Sequence, residues 1–97
     1  MEAQPCVYIL ASRRNGTLYT GVRRYPAQRG WQHKEGFARS FTKKYGVHRL
    51  VYLEFHDTMP AAIQREKQIK EWKRAWKLQL IESVNPQWRD LYDDNCR

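Results

Sequence analysis

Five polar side chains stand where chemistry could be done: Tyr8, Tyr19, Arg29, His33 and Glu66. Tyr8 and Tyr19 lie in two apolar runs on either side of Asn15-Gly16, a strong hairpin signal because both of these residues tolerate positive φ. If that dipeptide closes a two- or four-residue loop, opposed positions sum to an odd number. Tyr8, Tyr19 and Gly21 then share one face, and a glycine there leaves room for a ligand to approach the backbone. Glu66 falls in the middle of an apolar helical row between Ala62 and Ile69, so it should point toward the sheet rather than toward water. A carboxylate so placed is costly unless a cation pairs with it. Arg29 and His33, one helical turn apart, are natural partners for a phosphate or for that carboxylate.

Each of these residues also has a plainer reading. Either tyrosine alone could be an ordinary strand residue with a satisfied hydroxyl, and Glu66 could be half of a buried salt bridge with Arg29. A lone His33 reads as a surface histidine. The charge-rich run from Arg65 to Arg74 reads as a solvated helix face.

The elements that must position these groups follow from pattern. Cys6–Ala11 is apolar and rich in β-formers, and Thr17–Val22 returns as its hairpin partner. A short helix is expected to open near Pro26 and to run to about Glu35, with Gly36 as its stop. A basic loop over residues 36–48 precedes a third strand, Arg49–His56, apolar on both faces and so suited to being covered on two sides. Asp57-Thr58-Met59-Pro60 opens a helical stretch through about Ser83, bent near Lys73. One side of it carries Ala62, Glu66, Ile69, Trp76 and Leu80. The order β-β-α-β-α-α implies an α+β domain, sandwich-like, with a small three-stranded antiparallel sheet flanked by helices. Its core should run from about residue 5 to 84, with 85–97 as a C-terminal tail.

The chain has 97 residues, the size of one domain, and a net charge of +8. A domain this basic usually meets phosphate, nucleic acid before anionic membrane. No stretch approaches a membrane span and the N-terminus has no basic signal-peptide start, so the expectation is a soluble, cytoplasmic protein with nucleoid association open to it. Cys6 and Cys96 form neither a zinc site nor a disulfide framework. Cys6 reads as a buried strand residue and Cys96 as a free tail thiol.

Taken together, the residues resemble the GIY-YIG nuclease family. Val7-Tyr8-Ile9 stands where the family has its first tripeptide and Tyr19-Thr20-Gly21 where it has its second. Arg29, His33 and Glu66 follow in the family's order, and the likeness extends to a small stand-alone bacterial subgroup through NGTLYTGV, FTKKYGVHRLVY, REKQIKEWKR and NPQWRDLY. The first tripeptide lacks its glycine and Thr20 replaces isoleucine. The resemblance implies a metal-dependent DNA endonuclease working in DNA repair or recombination. The lack of a helix presenting base-reading side chains points to selection by DNA structure rather than by sequence. The resemblance also implies one divalent cation, Mg²⁺ with Mn²⁺ as the alternative, held by Glu66. Arg29 would bind the scissile phosphate, and Tyr19 or Tyr8 would orient or deprotonate the attacking water with His33 assisting. DNA would be held by Arg13, Arg14, Arg23, Arg24, Lys34, Arg39, Lys43, Lys44, Lys70 and Lys73. A separate protein could supply targeting; the oligomeric state is open.

The first rival is a module of the same fold that holds nucleic acid without cutting it. A nuclease using Asp57 with Glu71 and Lys73 is disfavoured, because that chemistry needs its acidic pair and lysine on strands. An RNA-recognition sheet would need a Gly-aromatic run that the third strand lacks.

Overall fold

The computed structural model describes residues 3–26, 46, 47 and 49–91. Three strands, β1 (Ala3–Ala11), β2 (Leu18–Pro26) and β3 (Arg49–Phe55), form one antiparallel sheet in the order β2-β1-β3. Two helices follow, α1 (Met59–Glu71) and α2 (Arg74–Val84). The α+β class with a small three-stranded antiparallel sheet is therefore what the sequence implied.

The order among the described residues is β-β-β-α-α, and the start of the expected first helix is corrected. Pro26 ends β2, opposite Ala3, instead of opening a helix. It stands at the end of an edge strand, where a missing N–H is tolerated. The rest of that expected helix and most of the basic loop lie outside the described residues. β3 is likewise an outer strand, although the apolar groups on both its faces are covered as far as Tyr52.

The β1–β2 hairpin closes through Ser12 and Thr17. Ser12 N donates to Thr17 O at 3.0 Å, and Thr17 N donates to Ser12 Oγ at 3.0 Å. The loop Arg13–Gly16 turns with Asn15 at φ 59°, a left-handed conformation that asparagine accepts readily. Arg74 at the start of α2 donates from Nη2 to the carbonyls of Asn15 (2.8 Å) and Gly16 (2.6 Å), which ties the loop to the helix.

Each face of the sheet has its own core. Cys6, Tyr8 and Leu10 of β1 pack with Val47 and Leu50, joined by Tyr19, Leu53 and Leu91. Val7, Ile9 and Ala11 point the other way and pack under Ala62 and Ile69 of α1, Ile81 of α2 and Trp88. Burial pushes the Cys6 thiol up to about 12, so it is an inert core group. A bulge in β3 serves this division. Ile9 opposes Tyr52 and Leu10 opposes Leu50, so Val51 has no opposite number and joins Tyr52 in the core beneath the helices.

Thr58 caps α1, its side chain accepting from Ala61 N at 3.3 Å, with Pro60 in the first turn. The helix stops at Trp72 and Lys73, both extended, before α2 begins. That break resets the helical phase. Ala62, Glu66 and Ile69 are buried as one row, but Trp76, expected on the same side, is 54% exposed, and Ile81 takes the core position instead.

The core also reaches further along the chain than residue 84. Trp88 is fully buried at φ 56°, and its indole Nε1 donates to Glu82 Oε2 at 2.8 Å. Asn85 donates from Nδ2 to Val51 O in the bulge (3.0 Å) and to Arg89 O (2.9 Å), and accepts from Arg89 N (3.0 Å). Leu91 N donates to Leu50 O at 2.7 Å, and Leu50 N donates to Asp90 Oδ1 at 3.2 Å. Residues 85–91 thus line the outer edge of β3.

Candidate functional site

Tyr8 opposes Gly21 across the β1–β2 ladder, and Tyr19 opposes Leu10 one diagonal step away. Their rings lie 6.1 Å apart between centroids at 46°. The two tyrosines and Gly21 therefore share a face, as their spacing requires. The space above Gly21 is not left for a ligand, however. A Cβ at position 21 would lie 2.5 Å from Tyr8 Cζ and closer still to its hydroxyl, so the Tyr8 phenol lies directly over the glycine. Tyr8 starts on the central strand and leans outward across β2, carrying its hydroxyl toward the sheet edge.

Glu66 sits in the sheet-facing row of α1, 8% exposed, as its position between Ala62 and Ile69 dictates. Its carboxylate Oε2 pairs with Lys70 Nζ at 2.5 Å, one turn on, and the lysine side chain is 52% exposed. Because α1 covers the Val7–Ile9–Ala11 face, the tyrosine pair and the helix carrying Glu66 lie on opposite faces of the sheet. β2 is the outer strand that α1 packs against on one face and that Tyr8 overhangs on the other.

A second polar cluster stands at the far end of β3. Tyr52 Oη donates to Glu54 Oε1 at 2.5 Å, and His56 Nε2 lies 2.5 Å from Glu54 Oε2. Arg65 Nε reaches both carboxylate oxygens, at 3.3 and 3.1 Å. Burial alone would raise the Glu54 carboxyl, but hydrogen bonds from Tyr52, His56 and Arg65 outweigh it and hold the group below the usual carboxylate range. Burial, and then the bond to Glu54, push the Tyr52 phenol well above its usual value. Burial opposes the charge of Arg65, yet its bonds to Glu54 prevail and raise it. The Arg65 guanidinium also lies 5.2 Å from the centre of the Trp72 ring. This cluster ties α1 to β3 at the residue before Glu66, and so sets the rotation that turns Glu66 inward. Its sequence signal is period-two alternation, with Tyr52, Glu54 and His56 on one side of the strand.

The expected DNA contacts divide by place. Arg13 and Arg14 are exposed on the hairpin loop, Arg23 and Arg24 flank the β2 edge, and Lys73 is exposed between the helices. Ser12, Arg13 and Thr17 line a polar hollow of about 340 Å³ with Arg74. Lys70 is engaged with Glu66. Arg29, His33, Lys34, Arg39, Lys43, Lys44 and Cys96 lie outside the described residues. Glu71 ends a helix rather than lying on a strand, which removes the basis for the Asp57–Glu71–Lys73 alternative.

The family model described as the GIY-YIG catalytic domain matches residues 4–79, most of the chain. The chain belongs to the GIY-YIG family. That makes it a member of a nuclease superfamily. Among its relatives is a UPF0213 protein of Syntrophus aciditrophicus (strain SB), 40% identical over 82 residues, covering 84% of this chain and 92% of the relative. UPF0213 proteins of Staphylococcus saprophyticus and Staphylococcus aureus are each 37% identical over 75 residues, covering 77% of this chain and 90% of theirs. No solved structure matches the chain. Among the described residues, no helix is long and apolar enough to cross a membrane.

Proposed function

We propose that this GIY-YIG domain hydrolyses phosphodiester bonds in DNA with the help of one divalent cation held by Glu66. The observation that carries this reading is the Tyr8 phenol seated over Gly21 beside Tyr19. One packing event accounts for the residue type at both motif positions and yields two phenols on one face, near the edge that α1 approaches.

The residues fit a metal held through one carboxylate. Glu66 is almost wholly buried, and its charge is met by the ammonium of a half-exposed lysine that can withdraw into solvent. That ammonium stands in for a divalent cation at the same oxygen. Magnesium is commonly bound through one or two carboxylates with substrate phosphate and water completing its shell. A cation there would supply charge neutralisation at the departing oxygen.

The chain's own groups supply the rest. Tyr8 and Tyr19 orient the attacking water, and one of them takes its proton. Free tyrosine ionises near pH about 10, so that phenolate needs a neighbouring positive charge. Arg29 is assigned to the scissile phosphate, a task suited to its planar fork of donors, and His33 to assisting the water. The phosphodiester would cross the β2 edge between the two groups. Phosphate contacts through Arg13, Arg14, Arg23, Arg24 and Lys73 carry little sequence information, so selectivity for branched or flapped DNA in repair or recombination fits this surface better than a defined sequence. Mn²⁺ is the alternative ion, and a partner protein is the natural source of targeting.

The test is cleavage of labelled single strand, duplex, flap, fork and four-way junction DNA with Mg²⁺ or Mn²⁺ and with EDTA. Metal-dependent cutting lost in Glu66→Ala and Arg29→Ala, with DNA still bound, supports the proposal. DNA bound but uncut under every metal makes the domain a binding module of the same fold.

A further inference from the structure

We propose that Trp72 and Trp76, at the break between α1 and α2, form a stacking platform for the unpaired bases of a single DNA strand. The inference rests on the reading of DNA as substrate and adds which strand the domain grips and with what. Trp76 is 54% exposed, an unusual position for so large a ring. It meets Trp72 edge to face, with centroids 6.1 Å apart at 78°. Trp72 in turn packs against the core beneath the helices and lies under the Arg65 guanidinium, so the ring that Trp76 leans on is fixed. The two indoles line a groove of about 390 Å³ with Gln79, Leu80 and Ser83, a mostly apolar hollow with room for a base.

Charge selects the occupant. Residues 65–77 carry six cationic side chains against Glu66 and Glu71; Lys67 and Lys73 are exposed, while Arg65 and Lys70 are engaged by Glu54 and Glu66. A second copy of this chain would bring the same positive face to meet it. A nucleic-acid strand brings phosphates for the lysines and flat apolar faces for the indoles, the combination that single-strand binding surfaces use. Bases in a duplex are already stacked on one another, so the platform discriminates for flaps, forks and ends.

The experiment measures binding of a labelled oligothymidylate, an abasic strand of equal length and charge, and a duplex. It uses fluorescence anisotropy in EDTA, so that no cutting intervenes, with wild type, Trp76→Ala and Trp76→Phe. The expected result is binding of the thymidylate strand weakened about tenfold in Trp76→Ala and largely kept in Trp76→Phe. Wild type should bind the abasic strand as weakly as the alanine variant binds thymidylate, and duplex affinity should be equal in all three proteins. Thymidylate bound equally by wild type and Trp76→Ala, or an abasic strand bound as well as an intact one, overturns the proposal. Loss of self-association in Trp76→Ala with oligonucleotide binding untouched would assign the groove to a second copy instead. Strand binding through Trp76 without any cleavage of the DNA panel would leave the platform standing and sink the nuclease reading.

Discussion

At position 21 a single methyl group competes with the Tyr8 phenol for the same space. A Cβ placed there falls 2.5 Å from Tyr8 Cζ, so Gly21→Ala must push the ring off β2 or distort the strand. The expected outcome is a loss of about 1–3 kcal/mol in stability, typical of overpacking. Cleavage should fall further than the fraction of unfolded protein explains, which thermal melts run beside the DNA assay would show. The alternation of strand residues made the shared face of Tyr8, Tyr19 and Gly21 legible. It could not reveal that Tyr8 leans across the neighbouring strand, because periodicity fixes a face but not a side chain's tilt. Glu66 was equally legible from its place in an apolar row. Glu66→Gln keeps the shape and removes the charge, so DNA binding and melting temperature should change little. Metal-dependent cleavage should drop about 100-fold or more, the scale on which removal of one preorganised electrostatic group acts.

At the scale of elements, the joint between β3 and α1 is where pH should act. Glu54 has a folded-state pKa below its unfolded value, so its contribution to stability is complete above the unfolded carboxylate value, about 4.3. It is lost as pH falls through the folded value. Tyr52 runs the other way: its folded value is raised, so its contribution is full below about pH 10 and is lost as pH rises beyond it. Glu54→Gln should cost about 2 kcal/mol at neutral pH, because it strips a charged acceptor from three donors. That cost should shrink as pH drops below about 4, where the unfolded chain takes up a proton that the folded carboxylate resists, and should be smallest below the folded value. Denaturation midpoints of both proteins across that range check it, and a gap independent of pH would contradict the ionic account. The same joint shows why Trp76 was misplaced by periodicity. A 100° pattern assumes an unbroken helix, and the extended residues Trp72 and Lys73 restart the count. The sequence hinted at a bend near Lys73, but the size of the phase change depends on how α2 docks, a tertiary matter.

For the molecule as a whole, residues 85–91 do more than a tail would. Asn-Pro-Gln-Trp reads locally as polar loop, and nothing in its spacing announces that Trp88 will adopt φ 56° and vanish into the core beneath the helices. Trp88→Ala should cost about 3–5 kcal/mol. Against a total of about 5–15 kcal/mol for a small domain, that brings the fold close to its limit, and chemical denaturation would measure it directly.

The whole surface also makes electrostatic and stacking contributions separable. A charge of +8 makes DNA affinity fall steeply with salt, and for duplex each neutralised phosphate adds about 0.9 to the log–log slope. Arg13 and Arg14 are exposed on the hairpin loop and do not line the Trp72–Trp76 groove, so their loss should act through phosphate. The double variant Arg13→Ala/Arg14→Ala is expected to lower that slope by about one for each phosphate no longer neutralised, on every duplex sequence alike. Trp76→Ala should weaken single-strand binding at every salt concentration and leave the slope as it was, because an indole releases no counterions. Titrations of labelled duplex and single strand over a salt series distinguish the two. A slope unchanged in the arginine variant would remove the hairpin loop from the DNA-binding face, and a slope reduced in Trp76→Ala would mean that Trp76 acts by placing the nearby lysines rather than by stacking.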